Sequence, residues 1–127
     1  MKMEEFRIIH SKLIEQFQLI EYHLEGLFGL VGDGEFEELT KRVENDTMGE
    51  LIRKVRFVFI NKKIDLLNKD DFALLDEIRD ARNYWCHQCY LDIKDRKPIK
   101  KYEDIKTELE KVSNMNQKLR DTFSKLK

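Results

Sequence analysis

The sequence has little that interrupts a helix. Of its 127 residues one is proline and five are glycine, so few positions are suited to tight turns. Charged residues make up 39% of the chain and hydrophobic residues 41%, and leucine, lysine, glutamate and isoleucine are frequent. These residue types favour helices. The composition therefore predicts an all-α protein, and the length suits a single domain over residues 1–127.

Long hydrophobic runs and a strong net charge are also missing. No stretch approaches the roughly 18 consecutive apolar residues of a membrane helix, and the first residues, MKMEEFRIIH, carry glutamates where a signal peptide needs an apolar segment. We therefore expect a cytoplasmic protein without a membrane partner, and reduced cysteines at positions 86 and 89. The net charge of −1 means that binding to a polyanion must use a local basic patch.

Apolar residues recur at intervals of three and four along most of the chain, which is the pattern of amphipathic helices. The pattern predicts four long helices and a possible short one, which run from Glu4 to about Val31, over 35–43, from Thr47 to a point between Asn61 and Asn68, from a cap at Asp70 or Asp71 through Cys89, and from about Lys101 onward. Thr47 and Glu50 form a capping box, with Asp46 as a competing cap. Such helices with short connections favour an up-and-down four-helix bundle.

The stretch RNYWCHQCY, residues 82–90, is the densest cluster of chemically reactive side chains in the sequence. At about 100° of rotation per residue, Trp85, Cys86 and Cys89 fall on the apolar face of the third long helix, so we interpret them as core residues. Zinc needs three or four ligands, and a redox CxxC pair usually sits where a helix begins. No metal and no other cofactor is therefore predicted.

Arg82 falls near the middle of the same apolar face, where a guanidinium is costly unless it finds a partner. Asp76, Asn83, His87 and Tyr90 form a neighbouring polar strip, with Asn83 and His87 one turn apart. A rotation of about 140° separates Arg82 from His87. The two could act on one substrate if Arg82 reaches around the helix, or if two copies of the helix face each other across a two-fold axis.

These residue types suit phosphodiester cleavage, because His87 can take and give protons, Asn83 can orient it and Arg82 supplies fixed positive charge. The segment Arg82-Asn83-Tyr84-Trp85-Cys86-His87 resembles the signature of the HEPN superfamily. That signature is an arginine, often followed directly by asparagine, with a histidine four to six residues later, on the third helix of a small bundle.

The resemblance implies a HEPN-like four-helix bundle and a metal-independent endoribonuclease, commonly a toxin of a toxin–antitoxin or phage-defence system. It also implies a homodimer in which two motifs line one cleft. Arg82 would stabilise the charge that develops on phosphorus, and His87 would act as general acid or base on the ribose 2′-hydroxyl or the leaving oxygen. Asn83 would orient the site or hold a phosphate. RNA would then be cut and DNA would not.

The tyrosines near the motif bear on a partner protein. Toxins paired with a nucleotidyltransferase antitoxin often carry a tyrosine two residues beyond the histidine, and the antitoxin can silence the toxin by adding nucleotides to a motif tyrosine. Here Cys89 occupies that position, while Tyr84 lies inside the motif and Tyr90 three residues beyond it. Such an antitoxin is a candidate partner, and Tyr84 and Tyr90 are candidates for modification or for stacking on RNA bases.

Two basic groups could contact an RNA backbone, or could be ordinary solvated side chains balanced by nearby acids. One surrounds Pro98 and the other lies on the second long helix: Lys94, Arg96, Lys97, Lys100 and Lys101, and Arg53, Lys54 and Arg56. Besides an unrelated helical interaction protein, the main alternative to a ribonuclease is a non-catalytic HEPN-like helical module that binds a nucleotide, RNA or protein. A His87 buried in its own core would favour that alternative, and a His87 open to a cleft would favour catalysis.

Overall fold

A computed structural model of the chain describes residues 2–94 and 100–127, and within these residues every regular element is a helix. The six helices are α1 (Met3–Val31), α2 (Phe36–Arg42), α3 (Met48–Asn61), α4 (Lys69–His87), α5 (Cys89–Lys94) and α6 (Lys100–Leu126). The prediction of an all-α protein is confirmed. In the described part of the chain, no helix is both long enough and apolar enough to cross a bilayer. Arg96, Lys97 and Pro98 lie outside the described residues.

Side-chain caps set where α3 and α4 begin. The predicted capping box at Thr47 is confirmed: its hydroxyl accepts from the Glu50 amide, and the Glu50 carboxylate accepts from the Thr47 amide. The predicted cap of α4 at Asp70 or Asp71 is wrong. Asn68 is the cap, and Asp71 completes the box by accepting a 2.8 Å hydrogen bond from the Asn68 amide.

The predicted third long helix is not continuous, because it ends at His87 and the chain turns at Gln88 before α5 begins. Two side chains use the Trp85 carbonyl beside this turn. The His10 ring approaches it to 2.7 Å and the Cys89 thiol donates to it at 3.2 Å. His87 therefore lies at the C-terminal end of α4, and Cys89 belongs to α5.

The core forms around the apolar stripe of α1. Ile9, one of the seven residues predicted for this stripe, is only partly buried, and the other six are buried: Phe6, Leu13, Phe17, Ile20, Leu24 and Leu27. α6 packs along α1, and α3 and α4 pack beside them. Gln16 bonds to Asn116 and Gly26 faces Phe123, so α1 and α6 run in the same direction. In an up-and-down bundle that consists of four helices alone, the first and last helices are antiparallel. The extra reversal is supplied by α2, which folds back onto the end of α1 at Gly29.

Candidate functional site

The motif occupies the last turns of α4, the turn at Gln88 and the start of α5. Trp85 and Cys89 anchor it in the core, as expected, since both are buried and the Trp85 ring packs near Phe6. Cys86 is only half-buried. Burial raises the pKa of the Cys86 and Cys89 thiols above the ordinary value, which favours the protonated form. In residues 2–94 and 100–127, no three His, Cys, Asp or Glu side chains are grouped as metal ligands.

Arg82 finds its partner inside its own chain. Its Nε lies 3.0 Å from Oε1 of Glu21 on α1, and the two side chains are 35% and 24% exposed. This oxygen is buried and accepts no hydrogen bond of good geometry from the described residues, so the contact is chiefly one of charge. Arg82 is therefore half-buried at the edge of the α1–α4 contact. No second copy is needed to neutralise it.

His87 and Asn83 are exposed and lie one turn apart on α4. Among the described residues, neither side chain has a hydrogen-bond or ion-pair partner within the distances of such contacts. His87 is the last residue of α4. Arg82, Asn83 and His87 thus reach the surface at one end of one helix, with Arg82 on the side that faces α1.

Tyr84 points away from this surface. Its hydroxyl donates a 2.9 Å hydrogen bond to the buried carboxylate of Asp92 on α5. The same carboxylate accepts a hydrogen bond from the side-chain amide of Gln88 at 3.3 Å. Tyr84 also lines a groove with Asp104 and Glu108 of α6. Carboxylates beside the ring disfavour an RNA phosphate there. The geometry gives Tyr84 a role in joining α4 to α5.

Tyr90 is better placed for contact with a ligand. It is 40% exposed, and its ring packs edge-on against His10, with centroids 4.9 Å apart. The His10 Nε2 that approaches the Trp85 carbonyl must carry the proton, because a carbonyl only accepts. Burial raises the pKa of Tyr90, and the nearby Cys89 acts in the same direction. The hydrogen bond from His10 to the Trp85 carbonyl joins α1 to the turn that follows His87.

The chain matches no protein-family model, no curated protein and no solved structure.

The basic group on α3 is largely neutralised by acids. Lys54 pairs with Asp46 at 2.5 Å, and Arg56 pairs with Asp76 of α4 at 3.1 Å while its guanidinium lies over the Phe72 ring. Only Arg53 of this group is an exposed cation without an ion-pair partner in the described residues. The interpretation as solvated, balanced side chains therefore fits Lys54 and Arg56.

Arg79 joins the α3 group across the α3–α4 contact. It pairs with Asp76 at 3.4 Å and with Asp80 at 3.2 Å, and its side chain packs against Gly49. Beyond the motif, Lys94 is exposed at the end of α5. Lys54, Arg56 and Arg79 are thus each balanced by at least one carboxylate.

Sequence reasoning missed Glu21 and His10 as partners of the motif. The two residues are about three helical turns apart on α1 and lie on the same edge of its apolar stripe, beside Phe17. Their positions at the border of a buried face could have marked them as polar residues that need partners. Which residues those partners are depends on how α1 meets α4, and one helical pattern does not contain that information.

Proposed function

We propose that the chain is a HEPN-type four-helix bundle, with α1, α3, α4 and α6 as its long helices, and that it acts as a metal-independent endoribonuclease. The observation that carries the proposal is His87, exposed at the end of α4, without a described partner and one turn from Asn83. An exposed imidazole beside an amide and a half-exposed guanidinium supplies a proton carrier, a hydrogen-bonding group and a fixed positive charge.

The proposed reaction is attack by a ribose 2′-hydroxyl on the adjacent phosphorus. The 2′-oxygen forms a bond to phosphorus while the bond to the 5′-oxygen breaks, which leaves a 2′,3′-cyclic phosphate and a 5′-hydroxyl. A neutral His87 takes the 2′-hydroxyl proton, and a protonated His87 gives a proton to the 5′-oxygen. Arg82 stabilises the charge on the phosphorane with the guanidinium N–H groups that face away from Glu21.

Two copies of His87 would separate these proton transfers. One imidazole acts as base and its mate across a two-fold axis acts as acid, so the cleft is complete only in a dimer. Tyr90 and Leu91 lie three and four residues beyond His87, at the start of α5, and are 40% and 53% exposed. An exposed apolar group beside the site suits a contact with a second copy.

The test is incubation of the purified protein with single-stranded RNA in EDTA. We expect cleavage that leaves 2′,3′-cyclic phosphate ends, and no cleavage of a strand with 2′-deoxyribose at the scissile nucleotide. His87→Ala should lower the rate by about 100-fold or more, because general acid–base catalysis contributes on that order. Asn61→Ala is the control, since Asn61 is also exposed and also ends a helix.

Cleavage that persists in His87→Ala would refute the site. Arg82→Ala should also abolish most of the activity, whereas Arg42→Ala removes an exposed arginine of α2 and should leave the rate unchanged. Equal rates in Arg82→Ala and wild type would remove Arg82 from the proposed mechanism.

A non-catalytic HEPN-like module that binds a nucleotide, RNA or protein is the second candidate. The observation that favours it is the Arg82–Glu21 pair, because a guanidinium already paired with a carboxylate has less positive charge to offer a phosphorane. Binding of RNA without any cleavage would support this candidate. A nucleotidyltransferase partner that modifies Tyr90 would be detected as a mass increase of Tyr90 peptides, and Tyr90→Phe would prevent it.

A further inference from the structure

A pocket of about 490 Å³ opens between α1, α2 and α6. Phe36 of α2, Phe123 of α6 and Gly26 of α1 form much of its wall, and Tyr22 stands at its rim with 69% of its surface exposed. This volume accommodates a small organic molecule, and the Phe36 and Phe123 rings in the wall suit an apolar or aromatic body.

Two glycines of α1 shape this pocket. A Cβ at Gly29 would stand 2.7 Å from a Thr40 methyl and 2.8 Å from the Phe36 ring, so glycine lets α2 pack directly on α1. A Cβ at Gly26 would stand 3.3 Å from the Phe123 ring. Gly29 thus brings Phe36 of α2 close to α1, and Gly26, which lines the pocket, lets the Phe123 ring of α6 approach from the other side.

The polar groups of the pocket differ in charge. Burial, together with the neighbouring Arg120 guanidinium, lowers the pKa of His23 and favours its neutral form. Arg120 is exposed and donates one hydrogen bond, to the Gln117 amide oxygen at 2.9 Å. Among the described residues Arg120 pairs with no carboxylate, so its charge is available to a ligand.

Glu25 lines the same pocket and limits the charge of the ligand. Burial raises the pKa of Glu25, and the carboxylates of Glu21, Glu44 and Asp46 act in the same direction. Close carboxylates of this kind repel further negative charge. A ligand with one anionic group near Arg120 is therefore favoured over one that carries two negative charges.

We propose that this pocket binds a small carboxylate with an aromatic or aliphatic body. The body lies between Phe36 and Phe123, the carboxylate pairs with Arg120, and the neutral His23 ring provides a hydrogen bond. The site is separate from the motif on α4, and the proposal does not depend on ribonuclease activity.

Three naphthalene probes test the proposal by titration into the 127-residue chain, followed through backbone amide NMR shifts. They are 2-naphthoate, the neutral 2-naphthalenemethanol and the dianionic 2-naphthyl phosphate. We expect saturable shifts clustered in 22–26, 36–40 and 120–124, with 2-naphthoate bound about threefold to tenfold more tightly than the alcohol. The phosphate should bind more weakly than 2-naphthoate, because Glu25 opposes its second charge. Shifts spread over the surface, or equal affinities of the acid and the alcohol, would overturn the proposal, and so would tighter binding of the phosphate.

Variants at exposed positions locate the charge and the pocket without disturbing the core. Arg120→Gln should weaken 2-naphthoate about threefold to fivefold and leave the alcohol unchanged, and Ser124→Trp should block both probes by filling the pocket. Arg7→Gln and Ser11→Trp make the same changes at exposed positions near the start of α1 and should leave both affinities unaltered. An equal loss of both probes in Arg120→Gln would overturn the assignment of the carboxylate to Arg120, and undiminished binding to Ser124→Trp would exclude the pocket.

Discussion

Arg82 illustrates how one residue can satisfy two interpretations. As a structural residue it pairs with Glu21 and joins α4 to α1, and as a proposed catalytic residue it keeps 35% of its side chain open. Glu21 Oε1 is buried and accepts no hydrogen bond from the described residues. Removing Arg82 would therefore leave this buried carboxylate oxygen without the cation that now compensates its charge. Loss of activity in an Arg82 variant must therefore be read together with its stability.

The strength of this pair can be measured by a double-mutant cycle. With Arg82→Ala, Glu21→Ala and the double variant, we expect a coupling free energy of about 1 kcal/mol from urea unfolding, because both side chains are partly shielded from water. The Arg42–Glu38 pair of α2, 58% and 67% exposed, should give about 0.3 kcal/mol. Equal coupling in both cycles would contradict the interpretation of Arg82–Glu21 as a partly buried pair.

His23 predicts a pH-dependent contribution to stability. Burial and Arg120 lower its pKa below the ordinary 6.5 in the folded chain, so the unfolded chain binds the proton first as the pH falls. This contribution is present above pH 6.5 and is lost as the pH drops toward the lower pKa of the folded state. Glu25, whose pKa is raised, acts in the opposite sense.

The measurement is the free energy of unfolding of wild type and His23→Gln from about pH 8 to about pH 5.5. Because the variant retains Glu25, the difference between the two proteins isolates the contribution of His23. Wild type should lose stability relative to His23→Gln as the pH falls. Parallel curves would show that His23 does not titrate differently in the two states.

At the scale of helices, the contact between α1 and α2 depends on one glycine. Gly29→Ala should destabilise the protein by about 1–3 kcal/mol, because its Cβ would collide with Thr40 and Phe36. Gly26→Ala is the matched change one turn earlier, where the 3.3 Å approach to Phe123 can be relieved by a ring shift. It should be close to neutral, since alanine also gains about 1 kcal/mol of helix propensity. Thermal unfolding would compare them, and equal effects would argue against close packing of α2.

Periodicity predicted helices better than it predicted their ends. The apolar stripe of α1 and the Thr47 capping box follow from local sequence, and both are present. The turn at Gln88 could not be predicted in this way, because its cause lies partly in His10 on another helix, whose ring uses the Trp85 carbonyl. The α4 cap was misplaced because Asn68, Asp70 and Asp71 can all serve as caps.

For the whole molecule, the proposed cleft requires a dimer. Light scattering after size exclusion should give twice the chain mass of 15.4 kDa. Leu91→Asp should yield the monomer and abolish RNA cleavage, because it places a charge on the exposed apolar group beside His87. Ile60→Asp, at another exposed apolar residue on α3, should remain dimeric. A monomeric wild type that still cuts RNA would refute the shared cleft.

For the candidate site, the sequence predicted which residues are exposed better than it predicted their contacts with other helices. Asn83 and His87 share the exposed strip that the helical angles predicted. The placement of Arg82 was only partly correct, because Glu21 draws its side chain to the edge of the core. The pocket at Arg120 had no sequence signal, since its walls combine the consecutive helices α1 and α2 with α6, which lies far along the chain.

The parallel pairing of α1 with α6 also constrains the order of folding. α1 contacts α6 more extensively than it contacts α2, α3 or α4, and Gln16 and Asn116 are 100 positions apart. A chain that closes such a distant contact loses more conformational entropy before it gains the packing energy, which slows folding. During synthesis, the part of the α1 apolar stripe that packs on α6 therefore stays uncovered until α6 has been made. In that interval the nascent chain can bind chaperones or aggregate through this stripe.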